Sequence, residues 1–350
     1  MNVRYYIMIM SALLSAACSE VIDTPTDSAK TVSLSASIAS IDTTRAVDAA
    51  FTGTSTKDME ASVWFSTECG VFPNETNPSA PTFMPYHATV KYLDIPTTVY
   101  VNPSNLENPL AYPVATIATT EQTQPKAYCV GFYPSIGWES TSDGNVAYHK
   151  IDGSTDIMFA DQIEGSWDTP FEAQKYKHLL MWLKFQAHIT DVEAASQWGN
   201  ITQISVVNTL NEVRITFDNE KNQDGAYEST IEYVNNTSYT DIGNIYAVND
   251  SSNGISLSVI AQDAGELLCA PSPQVTLTVE TKVSDTKGYE KKITVNLCDE
   301  NGELLTNQNY LTKAAGKLFI INLYFTPFDD IDAACSLIPW NEQNVDLTGN

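Results

Sequence analysis

The chain has 350 residues, more than one hydrophobic core usually organises, so two domains are expected. Its 43 acidic and 18 basic residues leave a formal charge of −25, which argues against nucleic acid and against adsorption to an anionic membrane surface. A hydrophobic content of 43 % suffices for packed cores, and the scarcity of long helical periodicities points to β structure.

Residues 1–18 read as an export signal. Arg4 follows a short polar start, Tyr5–Leu14 is apolar, and Ser15-Ala16-Ala17-Cys18 is a small-residue site ending in cysteine. An apolar run this short is a signal-peptide core rather than a membrane span. The site is similar to a bacterial lipobox, with Ser15 where leucine is usual, and marks Cys18 for cleavage and lipidation. Acyl chains would then anchor the protein to a membrane. Glu20–Ser28 is polar and proline-bearing, a tether.

Val32, Leu34, Ala36 and Ile38 alternate strictly with Ser33, Ser35, Ser37 and Ala39, the pattern of a half-buried strand. Arg45 follows in a turn-prone run (Asp42, Thr43, Thr44). The other arginines are Arg4 and Arg214, the latter inside an apparent strand. Proteolysis needs exposed, locally unfolded backbone, so an arginine-specific protease would find one good target in the folded chain. Two readings stand here. Val32–Ile38 is simply a first strand and Arg45 a solvated loop residue, or the strand is removable. Its loss would leave an apolar groove and unpaired backbone groups, a template for a strand from another chain.

Short strands then alternate with turns: Ala61–Ser66, Thr97–Val101, Tyr128–Tyr133 and Val146–Ile151. Tyr176–Ile189 has Leu179, Met181, Leu183, Phe185, Ala187 and Ile189 on one face. The other face carries His178, Leu180, Trp182, Lys184, Gln186 and His188. This alternation exceeds the usual strand length, so the element bends or links two sheets. Thr190–Gly199 predicts a short helix capped by Thr190 or Asp191 and stopped by Gly199. Ile204–Val207, Val213–Phe217 and Ile255–Ile260 follow. Val275, Leu277, Val279 and Val283 pair with Ile293, Val295 and Leu297 across a hairpin turn. Leu318–Phe325 and a final apolar patch (Leu337, Ile338, Trp340) complete the series. Turns every ten residues or so indicate β-sandwiches.

The order DIMFAD, KHLLMWLKFQAHI, GKLFIINLYF and IPW resembles the fimbrillin family of Bacteroidales, subunits of type V pili. The likeness lies in Asp156–Ala160 ahead of a strand starting near His178, in Trp340 near the C-terminus, in the lipobox-like Cys18 and in Thr44-Arg45-Ala46. It implies an all-β chain of two tandem transthyretin-like β-sandwich domains, at 46–175 and 176–350, behind a signal peptide (1–18) and a removable tether and strand (19–45). It also implies a lipidated precursor at the outer membrane. An arginine-specific protease would cut between Arg45 and Ala46, and the groove left by Val32, Leu34, Ala36 and Ile38 would accept the C-terminal strand of another subunit. The corresponding donor residues here are Leu337, Trp340, Val345 and Leu347. Whether the subunit serves in stalk or tip stays open.

No catalytic constellation is present: no G-x-S-x-G, no phosphate-cradling glycine loop and no H-E-x-x-H. His87, His149, His178 and His188 are scattered, and Asp329, Asp330 and Asp332 lack the spacing of a calcium loop. No enzyme, cofactor or metal is expected. Cys69, Cys129, Cys269, Cys298 and Cys335 read as small buried hydrophobes, with room for one disulfide. The alternative is a surface glycan-binding β-sandwich lipoprotein that does not polymerise. Its sugar-stacking aromatics would come from the six tryptophans, and Trp138, in a turn-like run, is the first choice.

Overall fold

A computed structural model describes residues 30–38, 59–73, 86–92, 97–102, 105–114, 124–239, 244–248, 254–327 and 330–338. The chain is all-β apart from two short helices among these residues. A six-stranded sheet runs in the spatial order Ala36–Ile38, Gln174–His178, Met158–Gly165, Ala127–Tyr133, Met59–Ser66 and Tyr86–Tyr92. Its strands Met59–Ser66 and Ala127–Tyr133 are apolar at successive rather than alternate positions, because both faces of the sheet are covered. Trp64, Val130, Phe132 and Phe159 point to one face. There they meet Ala147, Val213, Ile215 and Phe217 of a four-stranded sheet, Phe217 lying 6.3 Å from Phe132 between ring centres. Val63, Phe65, Cys129, Met158 and Tyr176 point to the other face, towards Val32, Leu34, Val99, Leu110, Tyr112 and Phe171.

The four-stranded sheet shows how far pairing departs from chain order. It joins Glu139–Ser140 and Val146–Lys150 to Glu212–Thr216 and Thr230–Val234. Between these pairs the chain builds the first strands of another body, whose two sheets hold Gln262–Cys269, Met181–Ile189, Leu318–Thr326 and Asp330–Ile338, and Asn244–Val248, Asn200–Val207, Gln274–Ser284 and Lys287–Asn296. Met181–Ile189 and Leu318–Thr326 are parallel, which demands a long crossover. Val275 faces Val295 and Leu277 faces Ile293 across the expected hairpin.

The long alternating segment does serve two sheets. Gln174–His178 ends in the six-stranded sheet and Met181–Ile189 begins in the next, with Leu179 and Leu180 buried between them. The following helix, Val192–Trp198, is capped by Asp191, whose Oδ1 accepts the Glu193 N–H at 2.8 Å. Gly199 ends it at φ 73°, and a Cβ there would stand 2.2 Å from the Lys282 carbonyl oxygen, so only glycine fits.

Candidate functional site

The first described segment is stitched into the body on both sides. The Val32 N–H donates to Leu110 O at 2.7 Å, and its carbonyl accepts the Val99 N–H at 2.9 Å. The Lys30 carbonyl accepts from Tyr112 at 3.1 Å and the Ser35 carbonyl from Gln174 at 2.9 Å. Ser33 and Leu34 stand opposite Thr98 and Thr97 in an antiparallel pair, whereas Ala36–Ile38 runs parallel to Gln174–Tyr176 at the edge of the six-stranded sheet. Few local contacts arise within the segment itself, so its extended form depends on these partners and on its apolar stripe.

That stripe is buried. Val32, Leu34 and Ala36 are 0, 1 and 8 % exposed, and Ser33 and Ser35 are half-buried, as the alternation requires. The floor beneath them is aromatic. Phe171 sits 5.2 Å from Tyr112 and 6.2 Å from Phe65 between ring centres, and its N–H donates to the Tyr112 hydroxyl at 2.8 Å. Burial outweighs that bond and pushes the Tyr112 phenol up to about 12. Lys30 holds its ammonium 6.0 Å from the Trp167 ring centre. Removing residues 30–38 would therefore open an apolar trough and take away the carbonyls to which the Val99, Tyr112 and Gln174 N–H groups donate.

Sequence reasoning identified the stripe but passed over its flanking wall. Leu110 and Tyr112 lie in a stretch whose asparagines and prolines read as a connection, yet they are 3 and 2 % exposed. The signal was there in miniature, as apolar residues two apart at Leu110 and Tyr112.

The remaining expected residues fall as follows. The Ile38 backbone pairs with Tyr176. Cys18, Arg45, Ala46, Trp340, Val345 and Leu347 lie outside the described residues. Leu337 stands opposite Phe319 in the edge strand Asp330–Ile338 and packs, partly buried, against the core of its own subunit. Arg214 is in Glu212–Thr216, paired on both sides, with its Nε donating to Glu212 Oε1 at 2.6 Å. Trp138 corrects the expectation of a surface aromatic. It is 8 % exposed, with its ring centre 4.5 Å from Phe132 and 5.0 Å from His149. The turn around it folds inward because the indole fills the gap between the sheets. The five cysteines from Cys69 to Cys335 are free thiols. Among the described residues no group of three His, Cys, Asp or Glu side chains could hold a metal, and no helix is long and apolar enough to cross a membrane.

Two polar features surround this core. His178 Nδ1 lies 2.6 Å from Asp156 Oδ2, joining two of the sequence landmarks where the chain passes between sheets. Burial opposes the charged imidazole, but the charge and hydrogen bond of Asp156 prevail and raise its pKa. A cleft of about 550 Å³ has Asp161, Glu164, Glu172, Lys175, Lys221 and Tyr227 in its lining. Its Glu164 accepts from Lys221 at 2.8 Å, from Tyr227 at 2.9 Å and from Lys126 at 3.1 Å. Partial burial works against the carboxylate, and these donors hold it down to about 2.

No protein-family profile matches the sequence, and no curated protein matches it. Several solved structures are similar along most of the chain. A protein of Bacteroides uniformis provisionally named for cell adhesion shares 13 % identity over 90 % of this chain and 99 % of its own, with a TM-score of 0.49. A fimbrial protein of Bacteroides vulgatus shares 15 % over 89 % and 99 %, with a TM-score of 0.36. A Bacteroides thetaiotaomicron protein provisionally named for polysaccharide binding shares 9 % over 81 % and 91 %, with a TM-score of 0.37. No residue role passes from them to this chain.

Proposed function

We propose that the chain is a structural, non-catalytic subunit of a cell-surface pilus, exported as a lipoprotein through Cys18. It matures by cleavage after Arg45 and assembles by strand exchange at the seat of Val32, Leu34 and Ala36. The observation that carries this reading is the construction of the first segment: a buried apolar stripe bonded through its main chain to neighbours on both sides, with Ala36–Ile38 at the edge of the six-stranded sheet. Such an element can leave without unravelling the sheets beneath it, and what it leaves is shaped for another strand. Arg214 supports a single cut, because a protease must bind its substrate as free extended backbone and Glu212–Thr216 is paired on both edges.

The test is brief arginine-specific proteolysis of protein beginning at Ser19. Mass spectrometry reads the cut site, and an unheated gel shows detergent-resistant ladders. A single cut after Arg45 with release of the first segment is expected. Resistance at Arg45, with a stable uncut monomer, would falsify the reading.

A further inference from the structure

Asp330–Ile338 and Lys287–Asn296 are the outermost strands of two different sheets among the described residues, and they pack against each other. Along Asp330–Ile338, Ile331, Ala333, Cys335 and Leu337 turn inward against the core, while Asp332, Ala334 and Ser336 are exposed. Cys335, opposite Ile321, therefore points towards the facing sheet. On that side lies the turn that follows Lys287–Asn296. Fully buried Leu297 anchors it, and Cys298 pairs with Leu304 in a single bridge. The Leu305 N–H donates to Leu297 O at 2.9 Å, and Asp299 Oδ1 accepts the Asn301 and Glu303 N–H groups at 3.0 Å each. The Cys298 backbone is thus held on both sides.

The two thiols are neighbours. Burial pushes the Cys335 thiol up to about 12, against the Cys298 N–H beside it, and the Cys298 thiol adds to the rise. The other thiols are differently placed. Cys129 and Cys269 are wholly buried, and burial alone raises them. The Cys69 thiol donates to Asn219 O at 3.4 Å and accepts from Gln162 Nε2 at 3.1 Å.

We propose that Cys298 and Cys335 are a disulfide-forming pair, oxidised after export, and that their bond pins the strand Asp330–Ile338 to the facing sheet. This rests on the export contained in the pilus-subunit reading, because disulfides persist in oxidising compartments and not in the cytosol. The oxidant is a disulfide of the glutathione or dithiol-oxidoreductase class. Cys298, as thiolate, attacks one of its sulfurs, making a mixed disulfide and expelling one thiol. The Cys335 sulfur then displaces the second, so the two electrons leave on the oxidant as two thiols and the Cys298–Cys335 bond remains. Without it, Asp330–Ile338 is held by its ladder to Leu318–Thr326 and by its inward side chains. With it, the two outermost strands cannot part, and a pull on the residues after Ile338 is passed to the turn at Cys298.

The test uses the full chain from Ser19, purified reduced and then incubated with glutathione disulfide. Trypsin frees residues 293–313, which hold Cys298 alone, and residues 318–350, which hold Cys335 alone. Mass spectrometry should find these two peptides joined, two hydrogens lighter than their sum, and separated again by dithiothreitol. Hydrogen exchange in Asp330–Ile338 should slow at least about tenfold on oxidation, with the Leu179 amide unchanged. Cys335→Ser should give no joined peptide and an exchange rate that oxidation leaves alone. The comparison of oxidised with reduced wild type stands even if that variant folds poorly. Protein alkylated directly on its native cell surface should carry the same joined peptide. Glutathione retained on either cysteine, a bond to Cys69 instead, unaltered exchange in Asp330–Ile338, or a reduced pair on the cell surface overturns this inference. Cleavage after Arg45 involves neither cysteine and is read on the same samples: its absence overturns the pilus-subunit reading, whereas absence of the joined peptide overturns this inference alone.

Discussion

Leu34→Ala tests how the first segment is held. Leu34 is 1 % exposed over an aromatic floor, and truncating a leucine so enclosed costs about 2–5 kcal/mol. The floor is built from Phe65, Tyr112 and Phe171, which belong to well-packed elements and cannot collapse to fill the space. About 3 kcal/mol is therefore a fair central value, and it multiplies the equilibrium for local opening roughly a hundredfold. The readout is hydrogen exchange at three amides that donate to the segment: Val99 to Val32, Tyr112 to Lys30 and Gln174 to Ser35. All three should exchange faster together, by the same factor, in the uncut protein. The Leu179 amide, bonded to Ile157 in the body, should be unaffected. Ser35→Ala, at a half-buried outward position, should change none of them measurably. Equal acceleration at Leu179, or none at the three reporters, would refute a segment that opens independently of the sheets.

Other outcomes follow from the same geometry. The pKa of His178 is raised above its ordinary 6.5, so the stability it contributes is complete below pH 6.5 and is lost as pH rises through the raised value; Asp156→Asn should flatten that part of a urea-unfolding profile. Gly199→Ala forces a side chain into positive φ and against the Lys282 carbonyl, and should cost more than about 2 kcal/mol, read as a lowered Tm. Trp138→Ala should cost about 3–5 kcal/mol by chemical denaturation, whereas a surface tryptophan would change stability by no more than about 0.5 kcal/mol.

Much of this structure is legible one element at a time. The stripe of Val32, Leu34 and Ala36, the Asp191 and Gly199 signals around a short helix, and the hairpin from Val275 to Val295 can all be read from residue type and spacing. Each depends on neighbours within a few positions, and a period of two or a cap is a local property of the backbone.

The tertiary structure decided what those elements join. Nothing in Glu212–Thr216 says that it will pair with Val146–Lys150, or in Leu318–Thr326 that it will lie parallel to Met181–Ile189. The successive apolar residues of Met59–Ser66 are compatible with a sheet covered on both faces, but the cover itself comes from Leu110, Tyr112 and Phe171, far away in the chain. Trp138 was misread for the same reason: its turn looks exposed until Phe132 and His149 close over it. Local alternation sets which face of a strand is apolar, and only the summed burial and hydrogen bonding of distant partners selects what that face meets.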